Sequence, residues 1–121
     1  MGGASLRKGL NSKAWKLMSQ WVRTKEKGVC YTCGIKKPKM YAGHYIHGDN
    51  MDFVFTNIHC QCYRCNKILH GNLVEYAIHL MDDYGPDILK HLHNAHKVNK
   101  PLTEERLLRV IEGLQKEVKQ L

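Results

Sequence analysis

Apolar residues at Trp15, Met18 and Val22 recur at the spacing of one helix face, while Lys13, Lys16, Arg23 and Lys27 fall between them. Asn11 or Ser12 can cap this run and Gly28 can end it, which predicts a first helix over that interval. Residues 1–10 before it read as a flexible basic tail. From Tyr41 to Cys60 the pattern changes to strand-favouring residues. Tyr45-Ile46 and Phe53-Val54-Phe55, separated by His47-Gly48-Asp49-Asn50, predict a hairpin there. Helical spacing returns over Arg64–Leu69, falters at Gly71, and resumes over Leu73–Met81. Gly85-Pro86 stops that segment, and Pro86 suits the first turn of another helix over Asp87–His96. Thr103 then caps a final helix whose Leu107, Ile111, Leu114, Val118 and Leu121 form a narrow apolar seam. That seam either packs on the rest of the chain or makes a homodimer contact.

The pattern gives an α+β chain in three parts. The tail, 1–10, comes first; a helix plus a compact core occupies 11–85; a helical extension fills 86–121. At 121 residues the chain has room for one core. No apolar run approaches the ~18 residues of a membrane span, and the N-terminal stretch has no secretory apolar segment, so an intracellular protein without a membrane partner is expected. Lys and Arg outnumber Asp and Glu by 19 to 11, a formal charge of +8, which favours polyanionic partners.

Cysteine spacing narrows the chemistry. Cys30-Tyr-Thr-Cys33 and Cys62-Tyr-Arg-Cys65 are two knuckles with two-residue spacers. Each knuckle can bring both thiolates to one tetrahedral ion, and two knuckles close its coordination sphere, so a structural Zn²⁺ site is expected. A redox pair is the competing reading of one Cys-x-x-Cys, but it leaves the second unexplained. Cys60 is the fifth cysteine and reads as a packed side chain. His91, His93 and His96 lie on a polar helix and read as solvated.

A knuckle, a hairpin carrying a histidine, and a second knuckle leading into a helix is the layout of a zinc-stapled ββα-metal finger, treble-clef-like, flanked here by several α-helices. Ala42-Gly43-His44-Tyr45, Asn57-Ile58-His59, Gln61-Cys62, Cys65-Asn66 and Gly71-Asn72-Leu73-Val74 with Tyr76 occur in order. The run Asn57–Lys67 resembles the second half of the HNH, or His-Me finger, nuclease motif. With its flanks, the set resembles the lambdoid phage NinG (Rap) recombination endonucleases over roughly Trp15 to Tyr84. The resemblance implies a structure-specific endonuclease of an infected bacterial cytoplasm, acting on branched DNA such as Holliday junctions and D-loops. By the same resemblance His44 is the general base, Asn57 orients the loop and the base, and Asn66 binds a divalent metal. The position before the base commonly carries Asp or His as a metal ligand, and here it is Gly43. Period two puts Asn57 and His59 on one strand face, across from His44, which makes His59 the first substitute ligand. His47 and Asp49 in the turn are weaker substitutes.

The chemistry suits these residue types. A neutral imidazole can take a water proton near neutral pH. Mg²⁺ or Mn²⁺, held by amide or imidazole ligands and water, can bind the scissile phosphate and the departing oxygen. A closed four-cysteine zinc site cannot, because it has no open position. Two cofactors with separate jobs are therefore expected. The alternative is a non-catalytic zinc finger that binds double-stranded or branched DNA by the same basic surface, having lost the ligand at Gly43.

Overall fold

The computed structural model describes residues 3–98 and 100–121, in a mostly helical α+β arrangement around one small sheet. Helix α1 spans Gly3–Lys25, strand β1 Tyr41–His44 and strand β2 Ile58–Gln61. Helices α2, Leu73–Tyr84, α3, Ile88–Val98, and α4, Glu104–Lys119, complete the order.

Helix α1 starts at Gly3, well before the expected caps at Asn11 and Ser12, so the part of the 1–10 tail from Gly3 onward is helical; Met1 and Gly2 lie outside the described residues. The reason is α4. Leu10, Ala14 and Leu17 of α1 pack with Leu107, Ile111 and Val110 of α4, and that contact extends the helix beyond its local capping signal. The apolar seam of α4 is thus covered within the chain: Leu107, Ile111 and Leu114 are buried, while Leu121 is exposed. Thr103 caps α4 as expected, its Oγ1 accepting from the Arg106 amide at 3.2 Å.

β1 and β2 pair antiparallel, with Tyr41 opposite Gln61, Ala42 opposite Cys60, Gly43 opposite His59 and His44 opposite Ile58. The second predicted strand lies elsewhere than expected. Residues 45–57 are an irregular loop with one-turn helices at Asp49–Met51 and Phe55–Asn57, so Phe53-Val54-Phe55 forms no strand. Two tertiary demands override the local β preference. Met51 is buried in a core with Tyr76, Leu80, Ile88 and Leu92 of α2 and α3, and Phe53 packs against α1 and α4. A single wide turn at Arg64–Ile68 follows the second knuckle, and α2 begins after it.

Candidate active site

The two knuckles meet at the edge of the sheet. Cys30 and Cys33 sit in a tight turn where the Gly34 amide bonds the Cys30 carbonyl at 2.9 Å and the Cys30 amide bonds the Ile35 carbonyl at 2.8 Å. Gly34 adopts φ +79°, which an ordinary side chain would strain. The Sγ atoms of Cys30, Cys33, Cys62 and Cys65 all lie within 4.8 Å of one another, and those of Cys33 and Cys62 are 3.7 Å apart. Metal–sulfur bonds of about 2.3 Å at tetrahedral angles put sulfurs about 3.8 Å apart, so the cluster fits one ion. Among the described residues it is the one group of three or more thiol, imidazole or carboxylate ligands close enough to share an ion. Burial raises the Cys30 thiol, but hydrogen bonds from Thr32 and nearby backbone outweigh it and bring it down to about 6, whereas burial pushes Cys33 up to about 12. Asn72 stands at the N-cap position of α2 but makes no side-chain cap hydrogen bond, and its Nδ2 donates to Cys65 Sγ at 3.6 Å. Cys60 is buried outside the cluster, and burial pushes its thiol up to about 12.

His44 ends β1 and lines a cleft of about 560 Å³ with Trp15, His47, Asp52, Asn66 and Lys67. Its ring stacks on Trp15 with centroids 4.8 Å apart and planes within 6°. Its Nε2 lies 2.8 Å from Asp52 Oδ1. Among the described residues Nδ1 has no hydrogen-bond partner, so the proton placed on Nε2 by the carboxylate leaves Nδ1 as the acceptor. Asp52 escapes sequence reasoning because it belongs to no spaced motif; an acid eight residues after a histidine carries no signal until a loop folds back. Trp15, one of the apolar positions on the first helix face, is only partly buried and belongs to this cleft.

Asn57 is fully buried and braces the loop that carries Asp52. Its Oδ1 accepts from the Ile46 amide at 2.9 Å, and its Nδ2 donates to the Ile46 and Met51 carbonyls at 2.9 and 3.3 Å. Tyr76 reinforces the same unit, its hydroxyl donating to the Gly43 carbonyl at 2.7 Å and the Asn57 carbonyl at 3.3 Å. Burial, above all, pushes the Tyr76 hydroxyl well up, so it stays a donor.

His59 lies elsewhere. The register sets it opposite Gly43 and not opposite His44, and strand alternation turns those pairs to opposite faces of the sheet. The expectation that His59 faces His44 is corrected by that register. Its buried ring stacks on Tyr31 at 3.8 Å, its Nδ1 is 2.6 Å from Glu26 Oε2, and its Nε2 is 3.3 Å from the Tyr84 hydroxyl. The other Glu26 oxygen accepts from the Cys60 amide at 2.7 Å, so the pair ties the end of α1 to β2. Gly43 has a steric reason. A Cβ there would stand 1.9 Å from Gln61 Oε1, because the buried Gln61 side chain fills the space beside it. Of the two turn substitutes, His47 lines the His44 cleft, its ring 5.1 Å from that of His44, and Asp49 lines a neighbouring groove.

A family model described as the bacteriophage lambda NinG protein matches residues 4–121. The chain belongs to the NinG family. Among NinG relatives, the protein ninG of Salmonella phage P22 is 30% identical over 98 residues, covering 77% of this chain and 48% of that protein. The ninG proteins of Escherichia phages 933W and lambda are each 28% identical over 98 residues, again across 77% of this chain. The chain thus spans about half the length of the NinG relatives it matches. No solved structure matches it. No helix among the described residues is long and apolar enough to cross a membrane.

Proposed function

We propose that this NinG-family chain is a metal-dependent endonuclease of the HNH, or His-Me finger, type, acting on branched recombination intermediates such as Holliday junctions and D-loops. The observation that carries the proposal is the His44–Asp52 pair at 2.8 Å, opening on a cleft shared with Asn66 and Lys67. Zn²⁺ held by Cys30, Cys33, Cys62 and Cys65 staples the finger and takes no part in the chemistry, because four thiolates leave no open position. In the His44 cleft the Asn66 amide oxygen is a hard donor that would hold a Mg²⁺ or Mn²⁺ ion. When bound, that ion neutralises developing charge on the phosphoryl oxygens and the departing 3′ oxygen. With His59 on the other face of the sheet, Asn66 is the protein ligand this reading retains.

The chain's own residues supply the proton chemistry. His44 Nδ1 takes a proton from water as the water oxygen forms its bond to phosphorus, and the bond to the 3′ oxygen breaks. The product ends are a 5′ phosphate and a 3′ hydroxyl, whose proton comes from solvent. Asp52 holds the imidazole in the tautomer with hydrogen on Nε2 and stabilises the imidazolium once it forms. Trp15 fixes the ring plane by stacking, and Asn57 and Tyr76 hold the backbone on either side. Lys67 adds a cation for the phosphate, and the branched-DNA preference follows from the family resemblance.

A labelled four-way junction, a D-loop and a linear duplex incubated with the zinc-loaded protein in Mg²⁺, in Mn²⁺ and in EDTA test the reading. Nicking of the branched substrates with either ion, abolished by EDTA, is the expected result. Tight binding with no nicking in any metal overturns it in favour of a non-catalytic zinc finger.

A further inference from the structure

A second groove, of about 660 Å³, runs beside the proposed catalytic cleft and is lined by Arg7, Lys8, Asn11 and Lys100. Asn11 lines both, so the two adjoin at α1. Arg7, Asn11, Trp15 and Ser19 recur every four residues, which keeps them on one side of the helix. Three exposed cations meet one carboxylate, Asp49, in this groove. Lys100 comes from the connection between α3 and α4, and Arg106 steadies it by donating to the carbonyls of Lys100 and Pro101 at 3.1 and 2.7 Å. Asn11 stands at the junction of the two, its amide oxygen buried without a hydrogen-bond partner. The packing of α4 on α1 builds the apolar floor of the groove through Leu107.

We infer that Arg7, Lys8 and Lys100 form a phosphate track that holds one arm of the DNA substrate to one side of the scissile bond. The inference deepens the nuclease reading and rests on it for the position of the cut. Trp15 stacks on His44, and Arg7 precedes Trp15 by eight residues, or about 12 Å of helix. At 3.4 Å of duplex axis per phosphate on a strand, the track meets the backbone about three to four nucleotides from the cut. The contacts read charge and not bases, so they hold any sequence in register without choosing one.

The test measures binding first and cutting second. A four-way junction is titrated with His44→Ala protein and with the same protein carrying Arg7→Ala, Lys8→Ala and Lys100→Ala. A control carries Lys90→Ala, Lys116→Ala and Lys119→Ala, an equal loss of charge at exposed sites elsewhere. Losing three phosphate contacts lowers the slope of log affinity against log salt by about 2.7, so the triple variant loses about 40-fold less affinity between 50 and 200 mM salt. The control is expected to keep a slope near that of the parent. Equal slopes for track variant, control and parent overturn the track. Methylphosphonates placed singly along the strand then locate it: neutralising the third or fourth phosphate on one side of the cut weakens the parent and leaves the track variant unchanged. Interference symmetric about the cut also overturns the proposal. A lowered slope for the track variant, beside a wild-type protein with His44 intact that nicks no junction in Mg²⁺ or Mn²⁺, refutes the nuclease reading while keeping the groove as a DNA contact, so the two failures are distinguishable.

Discussion

Gly43→Ala is expected to destabilise the zinc-loaded protein by about 3–5 kcal/mol. The added Cβ would stand 1.9 Å from Gln61 Oε1 and 2.7 Å from its Cδ. Gln61 cannot swing clear at no cost, because it is fully buried and its Nε2 donates to Thr32 Oγ1 at 3.1 Å and to the Gly71 carbonyl at 2.9 Å. Overpacking of this kind costs about 1–3 kcal/mol. Losing two buried hydrogen bonds adds about 1 kcal/mol each. Thr32 also bonds Cys30 Sγ at 3.4 Å, so the disturbance reaches the metal cluster and metal retention is expected to weaken with it. Urea unfolding at fixed zinc measures the change. A double variant with Gln61→Ala removes the obstacle, so it should be about as stable as Gln61→Ala alone, a coupling equal to the whole Gly43→Ala cost of about 3–5 kcal/mol. A Gly43→Ala protein within about 0.5 kcal/mol of wild type, or an additive cycle, refutes the steric argument. The same geometry leaves no room for Gly43→Asp as a replacement metal ligand.

Cys62→Ser is expected to lose both bound zinc and the fold, whereas His44→Ala keeps one equivalent of zinc and its circular dichroism, as metal analysis of the two purified proteins would establish. His59→Ala should unfold about 3 kcal/mol more easily, since it strips the partner from the mostly buried Glu26. Its nicking rate should show the wild-type dependence on Mn²⁺ concentration, and a shifted metal midpoint would return His59 to the list of ligands. Asp52→Ala strips the acceptor from His44 Nε2, removing both the preference for hydrogen on that nitrogen and the partner of the imidazolium, so single-turnover cleavage should slow by roughly tenfold or more with junction affinity unchanged. Unaltered cleavage would show that Asp52 does not position the ring.

The zinc knuckles were legible because their chemistry is local. One Cys-x-x-Cys could be a redox pair, but two of them are a pattern that a shared ion explains, and the four sulfurs do converge. Thr103, with Glu104 and Glu105 behind it, announced α4 for the same reason, since a cap needs nothing beyond its own turn. Helix α1 was misplaced at its start because residues 3–10 become helical through α4, which lies some hundred residues away in sequence. Tyr45-Ile46 and Phe53-Val54-Phe55 carry the β preference that predicts strands there, but Asn57 and buried Met51 dictate an irregular path over 45–57. Period two predicts Asn57 and His59 on one strand face across from His44, but Asn57 ends a one-turn helix before β2 begins at Ile58, and the register sets Gly43 opposite His59. Asp52 and Glu26 act through contacts at 8 and 33 residues of separation, with no spaced pattern to announce them.

The central claim is that His44 is the base of a phosphodiester hydrolysis, and single-turnover cleavage of a labelled four-way junction by wild type and His44→Ala tests it most directly. With binding followed in parallel, the variant should hold the junction at close to wild-type affinity, because lysine and arginine contacts to phosphate dominate binding. Its cleavage in Mg²⁺ or Mn²⁺ should fall by about two orders of magnitude or more. Cleavage by His44→Ala at the wild-type rate, with zinc content and junction affinity intact, would contradict the account.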